Sequence, residues 1–214
     1  MTHVLEREAH AVAALSSAVM SPLLPPIPAL EVVSVAGRAR GQYAHPLDGR
    51  YGALDPRELR RVMEWLAAQV DLSDVDCVIG IPEGGIVPAY AFAAATAKRV
   101  VFGTVWQPDV ADVVGFDEPH EPPSVRTKFL CGLASGERVI LVEDEITSGV
   151  TVIACVRALR AAGIGCDTVV AVYAADDPAM RERFAAEGTR LCAAATFAPS
   201  IGERLYAAHP ADAP

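Results

Sequence analysis

Glu143 and Asp144 are adjacent acids, and the run Thr147-Ser148-Gly149-Val150-Thr151 that follows is a turn of hydroxyls around a glycine. These residue types suit the two ends of a phosphorylated sugar. Ionised carboxylates accept hydrogen bonds, and the neighbouring hydroxyls of a ribose offer two donors in a fixed geometry. A hydroxyl-and-glycine turn that opens a helix suits a phosphate. The first amides of a helix lack partners, the helix dipole makes that end weakly positive, and the hydroxyls of Thr147, Ser148 and Thr151 add donors. The acids repel a phosphate, so the diol belongs on Glu143 and Asp144 and the phosphate belongs on the turn.

These groups need a rigid strand on one side and a helix on the other. Val139–Val142 has the β-branched, apolar character of a strand buried on both faces, with the acids placed where it ends. Val152, Ile153, Val156 and Leu159 fall at helical spacing beyond the turn. Thr147 or Ser148 is the expected N-cap, and Gly149 lets the backbone turn tightly. The bland alternative is an ordinary strand, polar turn and helix, but the full order of apolar strand, Glu-Asp, apolar residue, Thr-Ser-Gly and Thr is demanding.

The same alternation extends along the chain. Pro56 starts a helix with Leu59, Val62, Met63, Leu66 and Val70 on one stripe. Strands are expected at Asp76–Ile81, Arg99–Val105, Thr168–Tyr173 and Thr189–Ala194, with a helix at Ile86–Ala97. This pattern predicts an α/β fold, a parallel sheet flanked by helices, with ligands gathered at the carboxyl ends of the strands. A second loop lies at that edge, Gly80-Ile81-Pro82-Glu83-Gly84-Gly85-Ile86-Val87-Pro88, in which Gly84 and Gly85 are expected to present amides at a helix start.

Composition narrows the class. The chain has 214 residues, 52% of them apolar, and a formal net charge of −9. That charge disfavours nucleic acid as a partner. No window approaches an apolar membrane span, and Met1–His10 lacks a secretory pattern. Five cysteines, widely spaced with no Cys-x-x-Cys pair, read as reduced core residues of a cytoplasmic protein.

At residues 139–151 the chain resembles the type I phosphoribosyltransferases, orotate and adenine enzymes among them, whose signature is an apolar strand, two acids and a Thr/Ser-Gly phosphate loop. The resemblance implies that fold with a small hood, and transfer of a 5-phosphoribosyl group from phosphoribosyl pyrophosphate (PRPP) to an unidentified acceptor, expected to be nitrogen, with Mg²⁺. It implies that Glu143 and Asp144 hold the ribose hydroxyls, with Asp144 also a metal ligand, and that Ile146, Thr147, Ser148, Gly149, Val150 and Thr151 surround the 5-phosphate. Glu83, Gly84 and Gly85 would line the pyrophosphate loop, where the family often has an unusual peptide bond. A homodimer is implied as well. Glu145 departs from the family, where a small or apolar residue is common. Glu145 and His120 are the candidate bases for the acceptor.

Trp106–Pro123 is rich in proline and acid and lacks helical period, which predicts a structureless lid. Trp106, Arg126 and Lys128 are candidates there for stacking or for contacting pyrophosphate. No cation follows Val105, where many orotate and adenine enzymes carry one. The chain divides into an arm or hood segment at 1–35, a catalytic unit at 36–208 and a flexible tail at 209–214. Ala9–Met20 is an expected helix and Glu31–Ala36 an expected strand. Arg38, Arg40, Tyr43, His45 and Arg50 near the hood are candidates to contribute to an acceptor or to a neighbouring subunit's site, with a solvated charge the expected reading of any one of them, and Trp65 is expected to pack beside its helix. Two rivals remain: a PRPP-binding sensor without chemistry, and a different phosphosugar enzyme such as a nucleotide hydrolase.

Overall fold

The computed structural model describes residues 29–35, 38–45, 47, 53–119, 123–124 and 126–197. The expected helix at Ala9–Met20, Arg50, His120 and the tail at 209–214 lie outside them. Five strands form the central sheet: β3 (Cys77–Gly80), β4 (Arg99–Phe102), β7 (Arg138–Ile146), β8 (Gly165–Ala175) and β9 (Arg190–Phe197). Their order is β4-β3-β7-β8-β9, and every pair is parallel. Four helices connect or flank these strands: α1 (Pro56–Ala67), α2 (Ile86–Thr96), α3 (Val150–Ala161) and α4 (Pro178–Ala186).

Burial on both faces explains the apolar strands. On one face Val78, Ile140, Val142 and Val170 pack with Leu59, Met63 and Leu66 of α1 and Phe92 of α2. On the other, Ile79, Leu141 and Val169 pack with Val152, Val156 and Leu159 of α3 and Met180 and Phe184 of α4. Trp65 packs at the margin of the first cluster, in keeping with the expectation that it packs beside its helix. Two helices start as their sequences direct. Asp55 accepts from Arg57 N ahead of Pro56, and Asp177 accepts from Ala179 N ahead of Pro178, each at 2.9 Å.

Three departures from expectation have identifiable reasons. β7 continues past Val142 through all three acids to Ile146, because β8 keeps pairing with it: Glu143 faces Ala171, Glu145 faces Tyr173 and Ile146 faces Ala174. β4 stops at Phe102, where Gly103 N donates to Gly80 O. The expected structureless lid contains a strand, β5 (Val114–Asp117), paired antiparallel with β6 (Thr127–Leu130). Alternation explains this hairpin, because Val114 and Phe116 turn into the core while Gly115 and Asp117 turn out. A second hairpin, β1 (Ala29–Val35) with β2 (Arg38–Ala44), lies ahead of the sheet. Arg38, Arg40 and Tyr43 fall on β2.

Candidate active site

The parallel register brings the ends of β3 and β7 side by side, with Gly80 opposite Val142. The loop after β3 therefore meets the acids at the end of β7. An added Cβ on Gly84 would lie 2.4 Å from both carboxylate oxygens of Asp144, and one on Gly85 would lie 2.8 Å from Glu143 Oε2. A side chain at Gly84 would require Asp144 to move, and one at Gly85 would also meet the backbone carbonyls of Ile81 and Val142 at 2.8 Å. The glycines admit the carboxylates, and within the loop Gly85 N donates to Ile81 O at 3.0 Å and Ile86 N to Glu83 O at 3.2 Å. Glu83 is exposed, and the Pro82–Glu83 peptide is cis.

The three acids occupy different environments. Glu143 is buried, and its Oε1 has no hydrogen-bond partner among the described residues. Burial, then the nearby Asp144 and Glu118 carboxylates, push the Glu143 carboxyl well above the usual carboxylate range. Asp144 is half-buried, and its Oδ1 accepts from Glu145 N at 2.8 Å. Glu145 is half-buried beside it. His45 reaches both from beyond the end of β2. Its Nε2 lies 3.3 Å from Glu145 Oε2 and 3.6 Å from Asp144 Oδ2. His45 is 1% exposed, which overturns the expectation of a solvated charge.

The turn after β7 also differs in detail. Gly149, with φ at 72°, is the N-cap of α3, and neither Thr147 nor Ser148 caps it with a side chain. Ser148 Oγ lies 3.4 Å from Val150 N, too long for a strong bond. Without a side-chain cap, the first-turn donors of α3 suit an outside anion. Phe184 and Met180 pack under Gly149, with Phe184 Cε2 2.8 Å from where a Cβ would sit. Arg183 Nη1 donates to Ser148 O at 2.6 Å, which puts a cation on the turn that the sequence, lacking a lysine there, did not suggest.

The candidates of the lid separate. Lys128 lies on β6, buried, with Nζ 3.3 Å from Glu118 Oε2, so it is not a loose cation over the site. Burying a lysine requires a partner, and Glu118 supplies it. Arg126 O accepts from Glu118 N across the hairpin. Trp106 is 77% exposed, with its amide held by Thr104 Oγ1 at 3.1 Å. Among the described residues no group of three or more His, Cys, Asp or Glu is placed to cage a metal, and no helix is long and apolar enough to cross a membrane.

The sequence profile of the family described as "Phosphoribosyl transferase" matches residues 46–198, which takes in both loops and every acid of the site. The chain belongs to the phosphoribosyltransferase family. Among curated relatives of this phosphoribosyltransferase, the hypoxanthine/guanine phosphoribosyltransferase of Methanosarcina barkeri is 30% identical over 145 residues, covering 62% of this chain and 71% of that protein. The enzyme of the same name from Methanosarcina mazei is 27% identical, covering 67% and 77%. Solved structures share the fold. The adenine phosphoribosyltransferase of Rhodothermus marinus superposes with a TM-score of 0.60 at 18% identity, covering 88% of this chain and 99% of that one. The APRTase from Giardia lamblia complexed with 9-deazaadenine also gives 0.60 at 18% identity, covering 78% and 93%. The α/β architecture inferred from the alternation of strands and helices is therefore the observed one, and the protein is an enzyme of phosphoribosyl transfer.

Proposed function

We propose that this enzyme transfers the 5-phosphoribosyl group of PRPP to a ring nitrogen of a purine base and releases pyrophosphate. The carrying observation is the juxtaposition of Asp144 with Gly84, which joins the diol-binding acids to the loop after β3. The purine acceptor is supported by the names of the relatives.

In this reading the C1–O bond to pyrophosphate breaks, the C1–N bond to the base forms, and the base loses its N–H proton. Positive charge grows on the ribose in between. Glu143 and Asp144 hold the 2- and 3-hydroxyls. Ile146, Thr147, Ser148, Gly149, Val150 and Thr151 cradle the 5-phosphate, so its binding energy fixes the reacting carbon. Glu83, Gly84 and Gly85 bound the pyrophosphate, and Glu145 is the candidate group to receive the proton; His120 is the other. Trp106, which is exposed, is the candidate to stack on a ring.

Magnesium fits this donor set. The ion prefers oxygen ligands and is commonly held by one or two carboxylates plus substrate phosphates, without an all-protein cage. Asp144 would hold it, and the ion would offset charge on the departing pyrophosphate. The catalytic unit is assigned to 36–208, with 1–35 as arm or hood and 209–214 as tail, in a cytoplasmic homodimer.

The test is pyrophosphate release from Mg²⁺ and PRPP with hypoxanthine, guanine, adenine or orotate supplied singly. Release that depends on a purine supports the reading. Release in water alone would indicate a hydrolase, and PRPP binding without release under any acceptor would indicate a sensor.

A further inference from the structure

Glu143, Asp144 and Glu145 place three acids in a row at the end of one strand. Adjacent carboxylates repel, and partial burial strengthens the repulsion. Glu143 is buried. Asp144 and Glu145, with side chains 18% and 12% exposed, have a different partner: the Nε2 of His45 lies within 3.6 Å of one and 3.3 Å of the other. Where these carboxylates are ionised they only accept hydrogen bonds, so an Nε2 that carries hydrogen is the group that suits them. The ring is held in turn. His45 and Tyr173 have centroids 5.1 Å apart with planes tilted by 34°, and Tyr173 is the β8 residue paired with Glu145. Asp144 Oδ1 accepts from Glu145 N at 2.8 Å, and its Oδ2 lies in ion-pair range of His45 Nε2 at 3.6 Å, beyond a direct hydrogen bond. His45 also directly follows Ala44, the last residue of β2, which tethers the β1–β2 hairpin to the acids.

We propose that His45 is a positioning residue for phosphoribosyl transfer: its Nε2 orients Asp144 and Glu145 together, so that one carboxylate meets the ribose diol while the other is held for the acceptor. The inference rests on the functional reading above, in which both acids belong to the site. His45 itself touches no substrate in this arrangement. It acts through the two carboxylates, as supporting hydrogen bonds do around other catalytic constellations, where their loss costs about 10–100-fold.

His45→Gln and His45→Met separate this role from mere packing. The two side chains have similar length and volume, but only glutamine presents an N–H near the position of Nε2. Melting temperature, the melting shift produced by Mg²⁺ and PRPP, and the kcat and KM for purine-dependent pyrophosphate release are measured for both and for the wild type. The expected result is equal melting temperatures, near-normal kcat/KM for His45→Gln, and a loss of about 10–100-fold for His45→Met. Equal activity of the two variants overturns the proposal, whether both are active or both are impaired. Failure of both to fold also overturns it, since His45 would then be a core residue. A wild-type protein that gives neither a PRPP-dependent shift nor pyrophosphate release refutes the functional reading itself. A normal wild type with indifferent variants refutes only the role of His45.

Discussion

The Asp144 carboxylate rests against the bare backbone of Gly84, so closely that a methyl group on Gly84 would lie 2.4 Å from both of its oxygens. The contact is with the free end of a side chain, so the fold can yield by turning Asp144 away. Gly84→Ala is therefore expected to leave the melting temperature within a few degrees of wild type and to reduce kcat/KM for PRPP by about 100-fold or more. Steady-state kinetics and a thermal melt check it. Wild-type kinetics in the alanine variant would show that the Asp144 position does not matter.

Gly149 sets the turn that opens α3. Its φ of 72° is costly for a side chain, and an added Cβ would meet Phe184 Cε2 at 2.8 Å and Met180 Cγ at 3.2 Å. Gly149→Ala is expected to lower stability by about 1–3 kcal/mol and to weaken PRPP binding as the turn shifts. Denaturant titration reads the first effect and calorimetry the second. An unchanged midpoint would contradict the account.

Arg183 steadies the same turn from α4 through its 2.6 Å bond to Ser148 O. The side chain is exposed, so the bond is worth about 1 kcal/mol in water, or roughly fivefold in affinity. Arg183→Ala is expected to weaken PRPP binding by that amount at low salt, and by less at high salt as screening grows. Equal affinities at both salt concentrations for the two proteins would exclude the contribution.

Burial makes the fold sensitive to alkali. The Tyr173 hydroxyl and the Cys166 thiol are each pushed up to about 12 by desolvation, from ordinary values of 10.0 and 9.0. Both groups keep their protons in the folded state after the unfolded chain has lost them. Their contribution to stability is complete below the ordinary values and is lost as pH rises through them toward about 12. Tyr173→Phe is expected to flatten the decline between pH 10.0 and about 12. At neutral pH, Cys155 and Cys166 should resist a thiol reagent until the chain unfolds, whereas the half-buried Cys131 and Cys192 should react first. Matching alkaline melting curves for wild type and Tyr173→Phe would count against this.

The sheet and its helices were legible because burial on both faces writes itself as short apolar runs such as Val139–Val142, and because proline and aspartate mark helix starts at Asp55 and Asp177. The acids and the hydroxyl-and-glycine turn stood out as a candidate site because they lie in one contiguous stretch. What escaped depended on contacts across the chain. His45 looks like any hairpin-flanking polar residue until Tyr173 and Glu145, on separate strands, close around it. Arg183 is one of several arginines until α4 docks beneath Gly149. Lys128 reads as a free cation because nothing in its neighbourhood announces that β5 and β6 pair and bring Glu118 across to it. The hairpin signal was present in the alternation of Val114 and Phe116, but the prolines and acids around it masked a strand of four residues.

The most direct test of the central claim is a crystal structure of the protein with Mg²⁺ and PRPP. The account predicts the 5-phosphate on the backbone N–H groups and hydroxyls of residues 147–151, the ribose hydroxyls on Glu143 and Asp144, and the pyrophosphate beside Gly84 and Gly85. A 5-phosphate bound anywhere else, or a sugar that does not touch Asp144, would contradict it.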